Sequence, residues 1–315
     1  MSVDAPADVA IRVEGARKVY RSLVGRPKEA VRDVSITVAR GTIHGVLGPN
    51  GAGKTTTLKM LLGLVRPTGG RFEILGRDAL DLASRRRVGF LPEQPYFPVN
   101  LTAMQAMRFY GALTGVATER LDEEAASLLE RVGLADAART ELKKFSRGML
   151  QRLGIAQALL GSPEVVVLDE PASGLDPVGQ RDVRNLMLDL RAEGTTVLLS
   201  SHQLSEVEAV CDRVTIINRG VVVAEDHIDR LLNVEGKTAV RARGIAKLPE
   251  AVAALADDVA FSGSVWAFSV PDEAVRTVVD AIDDAGGVVL AVQPKRESLE
   301  DYFARLLASA GEEVA

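Results

Sequence analysis

Gly48-Pro49-Asn50-Gly51-Ala52-Gly53-Lys54-Thr55 is the stretch that decides the fold of this 315-residue chain. It follows an apolar run at residues 43–47 and precedes a helical pattern over residues 56–62. Glycines let the backbone turn tightly, so that several N–H groups point at one set of phosphate oxygens, and the helix N-terminus adds partial positive charge. A match to this spacing arises by chance in roughly one chain of this length in a hundred. The stretch therefore predicts a phosphate-binding loop between a strand and a helix.

Two side chains of this loop carry the chemistry expected at a nucleoside triphosphate. The mobile positive charge of Lys54 suits the β- and γ-phosphates, and the hydroxyl of Thr55 suits Mg²⁺. Asp169 and Glu170 follow the apolar run of residues 165–168, about 115 residues after the loop. Ligands of such sheets bind at the carboxyl ends of the strands. We therefore expect Asp169 to hold Mg²⁺ through water and Glu170 to act as the general base.

Short β-branched runs alternate with helical patterns up to residue 235, which predicts an α/β fold with a largely parallel central sheet. The predicted strands include residues 36–38, 43–47, 88–91, 165–168, 197–200 and 214–217. Between about residues 95 and 145 the apolar positions recur at helical spacing, which predicts a helical insertion. Residues 236–315 change rhythm and predict a separate, small C-terminal α+β domain. The expected organisation is thus 1–235 followed by 236–315.

Composition excludes several classes of protein. The net charge of -5 argues against a nucleic-acid binder, so we expect no nucleic-acid partner. No run approaches the roughly 18 consecutive apolar residues of a membrane span. The first ten residues lack the basic start and apolar run of an export signal, and we expect them to form a loose terminus. The only cysteine, Cys211, lies among apolar residues and is interpreted as an inert packing group in a reducing compartment.

With its phosphate-binding loop and the Asp169-Glu170 pair, the sequence resembles the ATP-binding subunits of ABC transporters over about residues 10–235. The segment FLPEQPYF, followed by LTAMQAMRFYG, is similar to export-type bacterial members. The resemblance implies a P-loop NTPase of the ABC nucleotide-binding type with a helical subdomain, with ATP and Mg²⁺ as cofactors. It implies an ATPase that drives transport.

The resemblance also implies roles for single residues outside the two motifs. Tyr20 corresponds to the aromatic residue that stacks on adenine, and Gln94 to the glutamine that touches Mg²⁺ and the attacking water. His202, after a predicted strand, corresponds to the histidine that contacts the γ-phosphate, and Asp176 ends the loop that bridges two subunits. The resemblance implies that Thr55, Gln94 and Asp169 bind the metal and that Glu170 and His202 are catalytic. The nucleotide-binding residues that it implies are Tyr20, Gly48, Pro49, Asn50, Gly51, Ala52, Gly53, Lys54, Thr55, Thr56, Gln94, Ser146, Gly148 and Asp176.

The signature segment departs from the family pattern. Phe145-Ser-Arg-Gly-Met149 stands where the family has Leu-Ser-Gly-Gly-Gln. Ser146 and Gly148 are retained, so a hydroxyl and backbone N–H groups at a helix N-terminus can still bind the γ-phosphate of ATP held by another subunit. The sequence gives no placement for the charge of Arg147.

The implied partners are a second ATP-binding subunit, most simply an identical copy arranged head to tail, and a separate transmembrane permease subunit. This places the chain at the cytoplasmic face of the cell membrane as a peripheral protein. Two rivals are a soluble ABC protein of translation or DNA repair and a GTP-binding switch. The first usually carries two cassettes or a long coiled coil, and the second an Asn-Lys-x-Asp motif, and the sequence contains none of these. For the C-terminal domain two roles stay open, which are dimerisation and regulation.

Overall fold

The computed structural model describes residues 8–21 and 27–312, and most of the N-terminal stretch predicted to be loose lies outside these ranges. The chain divides into two compact units, residues 1–228 and 229–315. The sequence placed this boundary a few residues later, after residue 235. The difference arises because the strand that begins at Asn233 belongs to the sheet of the second unit.

A ten-stranded sheet forms the centre of the first unit, in the order β5-β4-β1-β2-β10-β9-β3-β8-β7-β6. Its strands are β1 (Val9–Tyr20), β2 (Lys28–Ala39), β3 (Ile43–Leu47), β4 (Gly69–Ile74), β5 (Arg77–Asp78), β6 (Val88–Leu91), β7 (Val165–Asp169), β8 (Thr196–Ser201), β9 (Arg213–Asn218) and β10 (Val221–His227). The helices are α1 (Lys54–Leu61), α2 (Leu82–Arg85), α3 (Ala103–Thr114), α4 (Thr118–Arg131), α5 (Arg147–Ala158), α6 (Pro177–Ala192), α7 (Leu204–Val210) and α8 (Ile228–Leu232), which extends into the second unit.

The predicted parallel sheet is present as the five strands β6, β7, β8, β3 and β9. Strands β3, β7 and β8 are buried along their whole length, as expected of parallel strands covered on both faces. The antiparallel half of the sheet was not predicted. It is built on the long pair β1 and β2, whose alternating burial marks one covered face and one exposed face.

Helices α3 and α4 form the predicted helical insertion, and α5 follows it before β7. Helix α3 begins with a capping box, in which Thr102 Oγ1 accepts from Gln105 N–H and Gln105 Oε1 accepts from Thr102 N–H. Phe97 is buried and makes an edge contact with the half-buried ring of Tyr110, 5.7 Å between centroids. The Phe97 ring therefore belongs to the packed interior of the insertion.

The second unit is a four-stranded antiparallel sheet in the order β12-β13-β11-β14. Its elements are β11 (Asn233–Arg243), α9 (Glu250–Ala253), β12 (Asp257–Ser262), β13 (Val265–Pro271), α10 (Val275–Asp284), β14 (Val288–Arg296) and α11 (Leu299–Glu312). One face of the sheet packs against α9 and α10, with Val240, Phe268, Val252 and Val278 in the core. This is the α+β arrangement that the sequence predicts.

Helix α11 begins after Ser298, whose Oγ accepts from Asp301 N–H. Leu299 is buried, and Tyr302, Phe303 and Leu306 are half-buried. The side chain of Leu307 lies outside the described residues. Across residues 8–21 and 27–312, no helix is both long enough and apolar enough to span a membrane.

Candidate functional site

The phosphate loop lies between β3 and α1, as the sequence predicts. Helix α1 begins at Lys54, directly after Gly53, whose φ of 113° lies in the left-handed region that glycine adopts freely. Lys54 Nζ donates to the carbonyl oxygens of Gly48 at 2.6 Å and Pro49 at 3.3 Å. The lysine thus folds over its own loop and holds its ammonium where phosphate oxygens would approach.

Lys54 is only 7% exposed, and burial lowers the pKa of its ammonium below the ordinary value. Three carboxylates, those of Glu170, Asp169 and Glu93, oppose this effect and raise the pKa. A buried ammonium surrounded by carboxylates and carbonyl oxygens is poised to exchange these partners for a triphosphate, which carries more negative charge.

Asp169 ends β7 and is 1% exposed. Its Oδ1 accepts hydrogen bonds from Thr55 Oγ1 at 3.1 Å and from Ser200 Oγ at 2.5 Å. A carboxylate and two hydroxyls therefore converge from β7, α1 and β8. These are hard oxygen donors of the kind Mg²⁺ prefers, and Mg²⁺ at phosphate sites takes only one or two carboxylates because the substrate supplies the rest.

Glu170 follows immediately and adopts a left-handed backbone, with φ of 55°. Its N–H donates to Ser200 O at 3.1 Å and lies 3.3 Å from Ser200 Oγ. Its carboxylate oxygen Oε2 lies 2.7 Å from His202 Nδ1 and accepts from His202 N–H at 3.3 Å. The turn at the end of β7 thus aims the carboxylate of Glu170 toward the phosphate loop, beside the imidazole of His202.

Lys54, Thr55, Glu170 and His202 line one cavity of about 390 Å³. Its walls are formed by Tyr20, Lys28, Ala30, Asn50, Gly51, Ala52, Gly53, Lys54, Thr55, Thr56, Glu93, Glu170 and His202. Tyr20 is 41% exposed at the end of β1, and Lys18 Nζ lies 4.8 Å from its ring centroid. A half-exposed ring and a phosphate loop in the walls of one cavity match the base and the phosphates of a nucleotide.

Gln94 does not line this cavity; its side chain is exposed, and its neighbour Glu93 lines the cavity instead. Both residues lie in the loop after β6, which ends at Leu91. The sequence offered Gln94 because the family pattern asks for an amide. The expected contact of Gln94 with Mg²⁺ and the attacking water therefore stays a prediction.

Ser146, Gly148 and Asp176 also lie outside the cavity. Ser146 caps α5, its Oγ accepting from Met149 N–H at 3.2 Å, and Asp176 caps α6, its Oδ1 accepting from Gly179 N–H at 2.9 Å. The structure gives Arg147 a partner, since its Nη2 donates to Ser173 Oγ at 3.2 Å. The signature segment and the loop that ends at Asp176 are therefore tied together within the chain, away from the phosphate loop.

A larger cavity, of about 590 Å³, lies between α4 and the end of α6. Arg131 and Glu193 line it and form a two-fold ion pair, with nitrogen-to-oxygen distances of 3.1 and 2.7 Å. None of the predicted site residues borders this cavity. Its size therefore reflects the gap between the insertion and the sheet, and the smaller cavity is the functional candidate.

Comparisons with known proteins agree with this geometry. Residues 31–173 match the ABC transporter family. An ABC transporter ATP-binding protein of a Synechocystis species is 39% identical over 299 residues, covering 93% of this chain and 83% of the relative. The daunorubicin resistance ATP-binding protein of Streptomyces coeruleorubidus is 38% identical, covering 95% and 96%. The bacitracin transport ATP-binding protein of Bacillus licheniformis is 35% identical, covering 94% and 97%.

Solved structures of ABC transporter ATP-binding proteins are similar in fold to about 70% of this chain. The ATP-binding subunit of an ABC transporter superimposes with a TM-score of 0.64 at 30% identity, covering 70% of this chain and 91% of that one. A bacterial ABC transporter cassette solved as a dimer gives a TM-score of 0.64 at 25% identity, covering 69% and 98%. With its phosphate loop, its carboxylates at the end of β7 and relatives that match almost its whole length, this chain belongs to the family of ABC transporter ATP-binding proteins.

Proposed function

We propose that this chain is the ATP-hydrolysing subunit of an ABC exporter and that Glu170 is its general base. The observation that carries the proposal is that Lys54, Thr55, Glu170 and His202 line one cavity, with Asp169 hydrogen-bonded to Thr55. The ring of Tyr20 lines the same cavity, which suits a nucleotide in preference to inorganic phosphate.

The phosphates of ATP bind against the N-terminus of α1, where Lys54 exchanges its carbonyl partners for phosphate oxygens. Thr55 and Asp169 would hold Mg²⁺ with their side-chain oxygens. When bound, this ion neutralises negative charge on the β- and γ-phosphates. Tyr20 stacks on the base, as aromatic rings do in nucleotide sites.

Hydrolysis needs a water molecule in line with the γ-phosphate. Glu170 accepts a proton from that water as its oxygen bonds to the γ-phosphorus, and the bond to the bridging oxygen breaks to release ADP. His202 holds the Glu170 carboxylate before the nucleotide arrives. It then turns to the γ-phosphate, so that one imidazole both orients the base and stabilises the transferred group.

A single chain does not complete this site. Ser146, Gly148 and Asp176 lie outside the cavity, so we propose that two copies pair head to tail and that each signature segment meets the ATP of the other subunit. ATP then bridges the dimer, and loss of the γ-phosphate reopens it. The dimeric bacterial cassette supports this arrangement.

We further propose that the chain works at the cytoplasmic face of the cell membrane, bound to a separate transmembrane subunit. A cavity of about 330 Å³ is lined in part by Tyr96, Phe97 and Tyr110. Tyr96 is exposed, and an exposed aromatic ring over a groove suits a buried contact with a short helix. Export as the direction of transport is supported by relatives named for daunorubicin resistance and bacitracin transport.

Glu170→Gln tests the proposal. Glutamine keeps the size of the side chain and an oxygen for His202, but it takes up no proton, so turnover falls by about 10²–10⁴-fold. ATP binding persists, and the variant accumulates as an ATP-bound dimer that gel filtration resolves from the monomer. Glu250→Gln makes the same change at an exposed position of α9 and serves as the matched control. Wild-type phosphate release by Glu170→Gln would remove Glu170 from the role of base.

A further inference from the structure

Gln151 is a buried polar side chain whose contacts the proposed chemistry has not yet used. It lies on α5 and is 2% exposed. Its Nε2 donates to the backbone carbonyl oxygens of Glu170 at 3.2 Å and Pro171 at 3.1 Å. A side-chain amide carries two N–H donors on one nitrogen, so a single residue satisfies two successive carbonyls of the turn.

The turn that Gln151 holds is the one that aims the base. Glu170 is in the left-handed region, a conformation that strains a residue with a Cβ and persists only where its surroundings fix it. Strand β8 fixes the N–H of Glu170 through Ser200, and Ser173 N–H donates to the carbonyl of Glu170 at 3.1 Å from within the turn. Gln151 supplies the contact from outside the turn on the carbonyl side.

That contact originates on the helix that begins at the signature segment. Ser146 caps the N-terminus of α5, and Gln151 lies little more than one turn further along the same helix. Any shift of α5 against the sheet is therefore transmitted to the Glu170 and Pro171 carbonyls. Proton transfer is sensitive to such shifts, because misplacement by about 1 Å costs roughly 10²-fold in rate.

We propose that Gln151 is a positioning residue for the general base of its own subunit, and that through it the helix carrying the signature segment fixes the aim of Glu170. This inference rests on the proposed function, since it takes Glu170 as the base. It differs from a purely structural tie because it predicts a loss of turnover without a loss of nucleotide binding.

Gln151→Leu removes both donors and keeps a similar side-chain volume. We expect kcat to fall by about 10–100-fold, while KM and the Kd of ATP stay within about twofold. Gln151→Glu keeps the shape but places an acceptor against two carbonyls, and the same fall in kcat is expected. Gln293→Leu, the same change at an exposed position of β14, is the matched control. Calorimetric unfolding of each variant shows that the chain is folded.

Combination with Glu170→Gln separates a positioning role from support of the signature segment. Once the base is removed, Gln151→Leu has nothing left to aim, so the double variant should hydrolyse ATP no more slowly than Glu170→Gln alone. It should also form the ATP-bound dimer to the same extent. A further loss of rate, or loss of the dimer, would assign Gln151 to the signature segment and overturn the inference.

Unchanged kcat in folded Gln151→Leu or Gln151→Glu would overturn it as well. These outcomes leave the proposed function standing, because Glu170→Gln alone tests that proposal. Normal turnover by Glu170→Gln would instead remove the base itself and the inference with it.

Discussion

Alanine at Gly48 should damage the phosphate loop far more than alanine at Gly51, although both glycines have a positive φ. A Cβ at Gly48 would lie 2.1 Å from Ile217 O and 3.0 Å from the Cβ of Ala52, whereas a Cβ at Gly51 meets nothing within 4 Å. A carbon and an oxygen ordinarily approach to about 3.3 Å, so the loop would have to move by about 1.2 Å away from β9.

Both substitutions carry the strain of a left-handed alanine, about 1–2 kcal/mol. Gly48→Ala adds the cost of overpacking, about 1–3 kcal/mol. We therefore expect the free energy of unfolding to fall by about 1–2 kcal/mol for Gly51→Ala and by about 2–5 kcal/mol for Gly48→Ala. Displaced loop N–H groups should also weaken ATP binding by Gly48→Ala by about 10–100-fold, since a hydrogen bond to a charged group contributes about 1.5–3 kcal/mol.

Calorimetric unfolding without nucleotide is the decisive assay, because Gly51 itself lines the cavity and its substitution could disturb bound ATP directly. Each kcal/mol corresponds to roughly 2–4 °C in Tm for a unit of this size. Isothermal titration with ATP then measures the effect of Gly48→Ala on binding. Equal Tm values for the two variants would refute the reasoning, since it is the close contacts with Ile217 and Ala52 that separate them.

Two further predictions concern stacking on the adenine base and the protonation of a buried histidine. Tyr20→Ala should weaken the binding of ATP and of ADP by about 5–100-fold in isothermal titration, because stacking contributes about 1–3 kcal/mol per base. Tyr20→Phe keeps the stacked ring and should bind both nucleotides normally. Equal binding by the two variants would remove the stacking role from Tyr20. Burial, together with the charges of Arg213 and His227, lowers the pKa of His44 to about 3 from 6.5. Between these values the unfolded chain takes up a proton that the folded chain refuses, so folding loses about 1.4 kcal/mol per pH unit as the pH falls from 6.5. Chemical denaturation at pH 7, 6 and 5 should show this slope in the wild type and a smaller one in His44→Gln, and equal slopes would contradict it.

The parts of the fold that follow from local chemistry were predictable from the sequence. The glycine spacing of residues 48–53 requires a turn between a strand and a helix, and the apolar run of residues 165–168 requires a buried strand. Helix caps at Ser298 and the helical periodicity of the insertion are likewise local signals, and the structure contains both features. The pairing of β1 with β2 was missed because long antiparallel strands with one exposed face lack a continuous apolar run.

Site residues were predictable where a motif fixes their position in the chain. They were less predictable where the packing of neighbouring residues determines which side chain faces the cavity. Lys54, Thr55, Asp169 and Glu170 lie where their motifs place them. Glu93 and Gln94 are adjacent in a loop, where no periodicity says which side chain faces the cavity. Gln151 gave no signal because its importance depends on two carbonyls brought to it by the packing of α5 on the sheet.

The structure places the side chain of Arg147, a residue at which the signature segment departs from the family pattern. By sequence it puts an unplaced positive charge between two residues expected to touch a phosphate. In the structure its guanidinium turns back to Ser173, and a Cβ on Gly174 would come within 2.7 Å of Arg147 Nε. The side chain therefore lies across the loop that ends at Asp176 and leaves the backbone N–H groups at the start of α5 uncovered by its own charge. Because Gln151 holds the start of that loop and Arg147 its middle, α5 touches the segment after the base at two points, and movement of one element without the other would break both contacts.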